Sequence, residues 1–265
     1  MTVSLIAVEP EARPDSLMGT PDFVGAPNWY MSFGERAAVV GVLASLRPKV
    51  AVEIGSADGG SLRPAALYSE TVHSFDLQTP SDPSDPAFAN VVFHTGDSHQ
   101  ILAPFLAGIA AEGGVVDYAM VDGDHSATGV RQDVETLLGS GCLRGFILVH
   151  DVTNPAVRHG LDQIRFENYR DVVYVDLDFT TGHFMLKGEE RDQLWGGLGL
   201  IVVDPDRSVR IDDEADMEGI RPSKYRDTSV LLSKVRQALT APHHLRLAAR
   251  HPVWLVTVLR RRKGR

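Results

Sequence analysis

At 265 residues, 43% hydrophobic and 23% charged, the chain has material for one well-buried α/β domain with appendages, and its composition excludes a long disordered middle. A single cysteine, Cys142, excludes an internal disulfide framework and a cysteine-rich zinc centre and suits a reducing compartment, so a cytoplasmic location is expected. The net charge of −9 is unevenly placed: residues 229–265 carry nine Lys/Arg and no Asp/Glu, leaving 17 basic against 35 acidic residues in the rest, and an acidic body argues against a nucleic-acid partner.

Residues 1–32 hold Pro10, Pro14, Pro21 and Pro27, spaced so that no long helix fits; they read as a strap on the body, or, through Asn28, Trp29, Tyr30 and Met31, as a lid over a pocket. Glu9 and Glu11, with no basic flank before a long apolar run, do not make a secretory signal. No uncharged apolar stretch reaches the roughly 18 residues that span a bilayer. Residues 34–46 place Ala37, Val40, Leu43, Ala44 and Leu46 at helical spacing and stop at Arg47-Pro48.

Residues 49–54 are a short apolar run, Val50, Ala51, Val52 and Ile54, as in a parallel strand covered on both faces. The run enters a turn at Gly55, Gly59 and Gly60 and then a helix over 61–69, with Pro64 in its first turn, which is a nucleotide site in outline. A dinucleotide fingerprint needs a second glycine two residues after the first, and Ala57 stands there. Glu53, an acid just ahead of the turn, suits a cationic ligand better than a diphosphate.

The second strand, 71–76, ends on Asp76, 21 residues after Gly55, where an acid can accept hydrogen bonds from a ribose diol. A proline- and aspartate-rich loop follows over 77–90, then a strand over 91–95 and Gly96-Asp97-Ser98, an acid and a small residue placed to cap the helix over 99–112. A fourth strand, 115–121, empties into Asp122-Gly123-Asp124-His125-Ser126; a helix over 127–138 and a fifth strand over 145–149 deliver His150-Asp151. Carboxyl ends of consecutive parallel strands border the crevice where open α/β sheets bind ligands. A helix over 157–166 and a strand over 171–178 come next, and the last strand is either 182–187 or, preferred, 197–203, with 189–195 as an excursion. Residues 204–227 are acidic and turn-rich, 228–239 read as a helix, and 245–249 and 253–259 flank Pro252. The apolar stretch from Trp254 to Leu259 beside Arg260, Arg261, Arg262 and Lys263 reads as a helix expected to pack on the body or a dimer partner, with weak contact with an anionic membrane surface as the alternative.

The glycine turn resembles motif one of the class I S-adenosylmethionine (SAM)-dependent methyltransferases, E/D-x-G-x-G-x-G, with Ala57 in place of the middle glycine. The runs V-D-G-D-H-S-x-x-G-V-R-x-D from Val121 and L-V-H-D-V-x-x-P-x-V-R from Leu148 narrow the resemblance to the subgroup with sugar and natural-product O-methyltransferases and cephalosporin-hydroxylase-like proteins, over about residues 35–187. It implies a Rossmann-like, doubly wound, mostly parallel seven-stranded sheet with one antiparallel strand. Around the domain at 33–204 stand the strap at 1–32 and a helical extension at 205–265. It further implies SAM as cofactor, held by Glu53, Gly55, Ser56, Ala57, Gly59, Ser61, Asp76, Asp97, Ser98 and Asp122, with Asp97 and Ser98 at the adenine. The acceptor it implies is a small molecule or glycan, and a homo-oligomer is expected.

Methyl transfer from a sulfonium is an in-line displacement, so the acceptor hydroxyl needs alignment and either a base or a cation to lower its pKa. His150 and His125 are the candidate bases. Asp122, Asp124 and Asp151 are candidate ligands for Mg²⁺, a hard ion that takes oxygen donors. Two other readings stand beside an O-methyltransferase: a metal-assisted hydroxylase, which needs two histidines and a carboxylate around iron, and a SAM-binding module without catalysis.

Overall fold

The computed structural model describes residues 29–185 and 193–206. The strap through residue 28, residues 189–192 of the excursion and the expected tail helices lie outside the described residues.

The described chain begins with helix α1 (Phe33–Leu46), opened by a reciprocal cap: the Glu35 amide donates to Ser32 Oγ, and Glu35 Oε2 accepts from the Ser32 amide at 2.5 Å. Arg47, in the left-handed region at φ 49°, and Pro48 end it. Then follow β1 (Val50–Ile54), α2 (Leu62–Tyr68), β2 (Thr71–Asp76), β3 (Val91–Thr95), α3 (Ser98–Ala111), β4 (Val116–Val121), α4 (Ala127–Gly139), β5 (Leu143–His150), α5 (Pro155–Leu161), β6 (Val172–Phe184) and β7 (Leu194–Val203). The sheet order is β3-β2-β1-β4-β5-β7-β6. All pairs from β3 to β5 are parallel, and β7 alone runs against its neighbours β5 and β6. This is the doubly wound, mostly parallel seven-stranded sheet with one reversed strand that the resemblance to the methyltransferases implies.

Alternation along β1 divides the core. Val52 and Ile54 join Leu102, Leu106, Val130 and Val134 under α3 and α4, while Ala51 joins Val39, Leu43, Leu62 and Ala65 under α1 and α2. Glu53 therefore points to the α1–α2 side, away from the crevice. The strand order reverses between β1 and β4, and the carboxyl ends of both open on one crevice.

Three elements depart from the sequence reading by more than two residues at one end. Helix α5 starts earlier and is shorter than 157–166, because the Asn154 side chain accepts from the Ala156 amide at 2.9 Å and Pro155 occupies the first helical position. β6 runs on through Gly182, so 182–184 is the end of that strand and not a separate one. Of the expected excursion, Leu194 and Trp195 already belong to β7. Among the described residues no helix is long and apolar enough to cross a membrane.

Toward the β3 edge, His73 Nδ1 lies 3.0 Å from His94 Nε2, with both rings against Phe105. Burial, reinforced by His94, pushes His73 down to about 4. A histidine depressed in the folded state contributes stability above its unfolded pKa of about 6.5, and this is lost as pH falls through the folded value. His73→Phe is accordingly expected to lose less melting temperature than the parent between pH 6.5 and 4, and parallel acid limbs in thermal melts would contradict this.

Candidate active site

A cleft of about 1110 Å³ opens at the carboxyl ends of β1, β2, β4 and β5. Its floor is the turn after β1. Gly55 takes φ +81°, and a Cβ there would stand 2.2 Å from the carbonyl oxygen of Asp122, so only glycine lets β1 and β4 approach at this point. Ala57, where the middle glycine of the motif would be, also adopts a left-handed φ of 44°. Its amide and that of Ser56 donate to Asp76 Oδ2 at 2.9 and 2.8 Å, and the Gln78 amide donates to Asp76 Oδ1. One lone pair of Oδ1 remains for a ligand hydroxyl.

Of the residues expected at the cofactor, Gly55, Ser56, Ala57, Ser61, Asp76, Asp97, Ser98 and Asp122 line the cleft; Glu53 and Gly59 stand behind it. Glu53 is 1% exposed, and Ser61, on the lining, donates its hydroxyl to Glu53 Oε1 at 2.7 Å. The acid acts on the cleft through Ser61, a correction that follows from the strand's alternation. Burial, with some repulsion from Asp122 and Asp76 and against the Ser61 hydrogen bond, raises Glu53 to about 8. A carboxyl raised in the folded state gives stability that is complete below about pH 4.5 and lost as pH rises to about 8. Glu53→Gln is expected to remove a decline on the order of 3 to 5 kcal/mol over that window. Denaturation of both proteins at pH 5 and pH 8 checks it, and an unchanged decline in the variant would refute it.

At the β3 end Asp97 caps α3, accepting from the His99 amide at 3.0 Å, and Ser98 donates to Asp133 of α4 at 2.9 Å. Asp133 is 1% exposed with Oδ2 unpartnered among the described residues, and burial raises it to about 6. Sequence reading has Asp133 only as the last residue of the run that starts at Val121 and gives it no role, because its contact with Ser98 joins two helices.

The ends of β4 and β5 carry the densest chemistry. His150 Nδ1 lies 3.0 Å from Asp122 Oδ1 and 3.4 Å from Asp151 Oδ2; His125 Nε2 lies 3.4 Å from the first oxygen and 3.0 Å from the second. The other nitrogen of His150, Nε2, faces Glu35 Oε1 at 3.2 Å. Glu35 is fully buried, and its Oε1 also accepts from the Gly197 amide at 2.5 Å. Asp151, strained at φ 56°, is tied through Oδ1 to the Gly196 amide, which aims Oδ2 at both imidazoles. Thus α1, β4, β5 and β7 fix one cluster.

Burial opposes charge on His150, but Asp122, Glu35 and Asp151 outweigh it and hold the imidazole well above its ordinary value. Hydrogen bonds that His125 donates to Asp122 and Asp151 raise it to about 9 against the effect of burial. His150 has both nitrogens occupied by carboxylates, so the expectation of a free base there is corrected to a residue that positions Asp122 and Asp151. Asp124 leaves the expected metal set, because its two oxygens accept from the amide and hydroxyl of Ser126 at the start of α4. His125 takes its place: donor atoms of Asp122, His125 and Asp151 lie within 4.8 Å of one another. Sequence reading missed Glu35, whose one local signal is the S-x-x-E spacing from Ser32, and nothing in that spacing reveals its contact with His150 of β5.

Trp29, Tyr30, Met31 and Ser32 border the cleft opposite His183, Trp195 and Gly196. Arg36 holds this segment, donating to the carbonyls of Trp29 and Met31 and lying 5.1 Å from the centre of the Trp29 ring. The His125 ring meets Trp195 edge-on at 5.5 Å.

Residues 52–152 match a protein family described as a methyltransferase domain. No curated protein matches the sequence. In shape the chain is similar to the O-methyltransferase TomG from Streptomyces achromogenes, involved in tomaymycin synthesis and in complex with SAM, at 16% identity over 67% of this chain and 83% of that one, TM-score 0.48. It is also similar to the O-methyltransferase from Bacillus cereus in complex with SAH, at 15% identity over 66% and 84%, TM-score 0.45. A third is the MycE methyltransferase of the mycinamycin biosynthetic pathway in complex with Mg, SAH and mycinamycin VI, at 16% identity over 69% and 53%, TM-score 0.46.

Proposed function

We propose, from the methyltransferase domain that residues 52–152 form, that the protein is a SAM-dependent O-methyltransferase acting on a hydroxyl of a sugar, a glycan or a glycosylated natural product. One observation carries the reading: the turn at Gly55–Ala57 with Asp76 and the charged cluster at Asp122, His125 and Asp151 line one cleft. A donor on the turn and an acceptor at the cluster would be neighbours, which an in-line displacement requires.

SAM, when bound, supplies the sulfonium methyl. Asp76 would accept from the ribose through Oδ1, Ser98 and Asp97 would border the adenine, and the Gly55 turn would let the backbone come close to the nucleoside. At the other end, Asp122, His125 and Asp151 would orient the acceptor hydroxyl, and its proton would go to the neutral fraction of His125, which grows as pH rises toward about 9. A divalent cation, Mg²⁺ by the sequence reading, would be held by Asp122 and Asp151 and would lower the pKa of the acceptor oxygen. His150 and Glu35 keep the two carboxylates in place. Support for a hydroxyl-rich ring comes from aromatic surface beside carboxylates: Trp195 and the exposed Tyr30 flank the cleft that Asp122 and Asp151 also line.

Incubation of the purified chain with labelled SAM and a panel of glycosides and polyols tests this. Label is expected in a base-stable ether of a sugar-bearing acceptor; label only in phenols, amines or thiols would overturn the acceptor class, and none in any acceptor despite SAM binding would favour a module without catalysis.

A further inference from the structure

We infer that Asp133, buried behind Ser98 in the cleft wall, is a positioning residue that makes the Ser98 hydroxyl a hydrogen-bond acceptor toward a bound base and so selects a 6-amino purine over a 6-oxo purine. Ser98 lines the cleft, and its Oγ donates to Asp133 Oδ1 at 2.9 Å. A serine hydroxyl has one hydrogen and two lone pairs, so with its hydrogen directed at Asp133 it offers a ligand lone pairs alone. The neighbouring side chains repeat the pattern. Asp97 Oδ1 accepts from the His99 amide and its Oδ2 from the Gln100 side chain, both at 3.0 Å. The two His99 nitrogens each stand 3.5 Å from a carboxylate oxygen, Nδ1 from Asp97 and Nε2 from Asp133.

Folding alone gives this acid no reason to be where it is. Asp133 is 1% exposed, on the face of α4 that otherwise sends Val130, Val134 and Leu137 into the core, and its Oδ2 has no hydrogen-bond partner among the described residues. A buried carboxylate with so few donors destabilises the fold, and an apolar side chain would pack there without that cost. A Cβ on Gly123, which lines the cleft, would stand 3.8 Å from Oδ2, so the acid lies directly behind the wall. Burial raises its carboxyl to about 6 against the pull of the Ser98 hydrogen bond, so at pH 7.5 it is ionised and only accepts, which fixes the direction of the Ser98 hydroxyl. The 6-amino group of adenine brings two hydrogens to such a surface. A 6-oxo purine brings lone pairs to the same place and sets oxygen against the Ser98 oxygen.

The inference deepens the proposed reaction by naming what selects the base of the methyl donor, and for that it rests on the methyltransferase reading. Calorimetric titration of the full chain at pH 7.5 with S-adenosylhomocysteine, and with S-inosylhomocysteine, whose purine carries the 6-oxo group, tests it. The parent is expected to bind the inosine form roughly 100-fold more weakly. Asp133→Asn keeps the shape but turns an NH₂ to the Ser98 oxygen, which frees the Ser98 hydrogen for the cleft. The ratio of the two affinities is then expected to fall below about 10-fold, the adenosine form losing and the inosine form gaining. Ser98→Ala, at the cleft surface, should lower the ratio as well and serves if Asp133→Asn does not fold. In the Ser98→Ala background Asp133→Asn should change the ratio no further, because Asp133 acts through Ser98. An Asp133 that only supports the fold would weaken both ligands together and leave the parental ratio, which would overturn the inference, as would a parental ratio in Ser98→Ala. Equal binding of both ligands by the parent sinks the base selection alone; a folded parent that binds neither sinks the methyltransferase reading and the base selection with it.

Discussion

Gly55→Ala is expected to abolish S-adenosylhomocysteine binding and to cost more than about 3 kcal/mol of folding stability. The left-handed φ of +81° is the smaller part: a side chain there costs about 1 to 2 kcal/mol. The larger part is the collision of the new Cβ with the backbone of β4, 2.2 Å from the Asp122 oxygen and 2.6 Å from the Gly123 Cα. Neither atom belongs to a flexible side chain, so relief requires β1 and β4 to part at the floor of the cleft. The Ser56 and Ala57 amides, which donate to Asp76, would move with the turn. Ala57→Gly, two residues on, is the control: it relieves a left-handed alanine and should leave both stability and binding close to the parent. Equal affinity in Gly55→Ala and the parent would show that the turn does not shape the cofactor site.

The second large effect is on chemistry. His125→Ala should lower methyl transfer roughly 10²- to 10⁴-fold, the range for a positioned group that handles a proton in the transition state, with S-adenosylhomocysteine affinity nearly unchanged. His125 is the half-exposed member of the cluster, hydrogen-bonded to Asp151 Oδ2 at 3.0 Å and packed edge-on against Trp195. Its removal leaves the turn, Asp76 and the Asp97–Ser98 cap untouched, so donor binding and transfer should separate. A parallel loss of both would make His125 a part of the cofactor site; transfer at the parental rate would remove it from the reaction.

Much of this was legible in the sequence where a residue's role is local. Gly55, the strand ahead of it and Asp76 at the end of the next strand are set by backbone geometry and spacing, and the chain places them together on the cleft. His125 and His150-Asp151 could be read as strand-end residues from the apolar runs that precede them. What spacing does not carry is which side of a strand a residue takes at a crowded end. Glu53 looked like a cleft residue and lies on the opposite face, behind Ser61. Asp124 and His125 differ by one position, and the Ser126 amide and hydroxyl draw Asp124 to the helix start, so His125 reaches the cluster instead. Glu35 lies 115 residues from the histidine it faces, and Asp133 lies 35 from Ser98. Such contacts arise only when α1 is laid against β5 and α4 against α3, and no local pattern encodes them.

Donor binding is the claim on which the rest depends, and calorimetric titration of the purified chain with S-adenosylhomocysteine tests it most directly. Saturable binding at one site per chain, strongly weakened in Asp76→Ala, is the predicted result. No heat of binding to the folded parent protein, or binding indifferent to Asp76, would contradict the assignment of this cleft to the methyl donor.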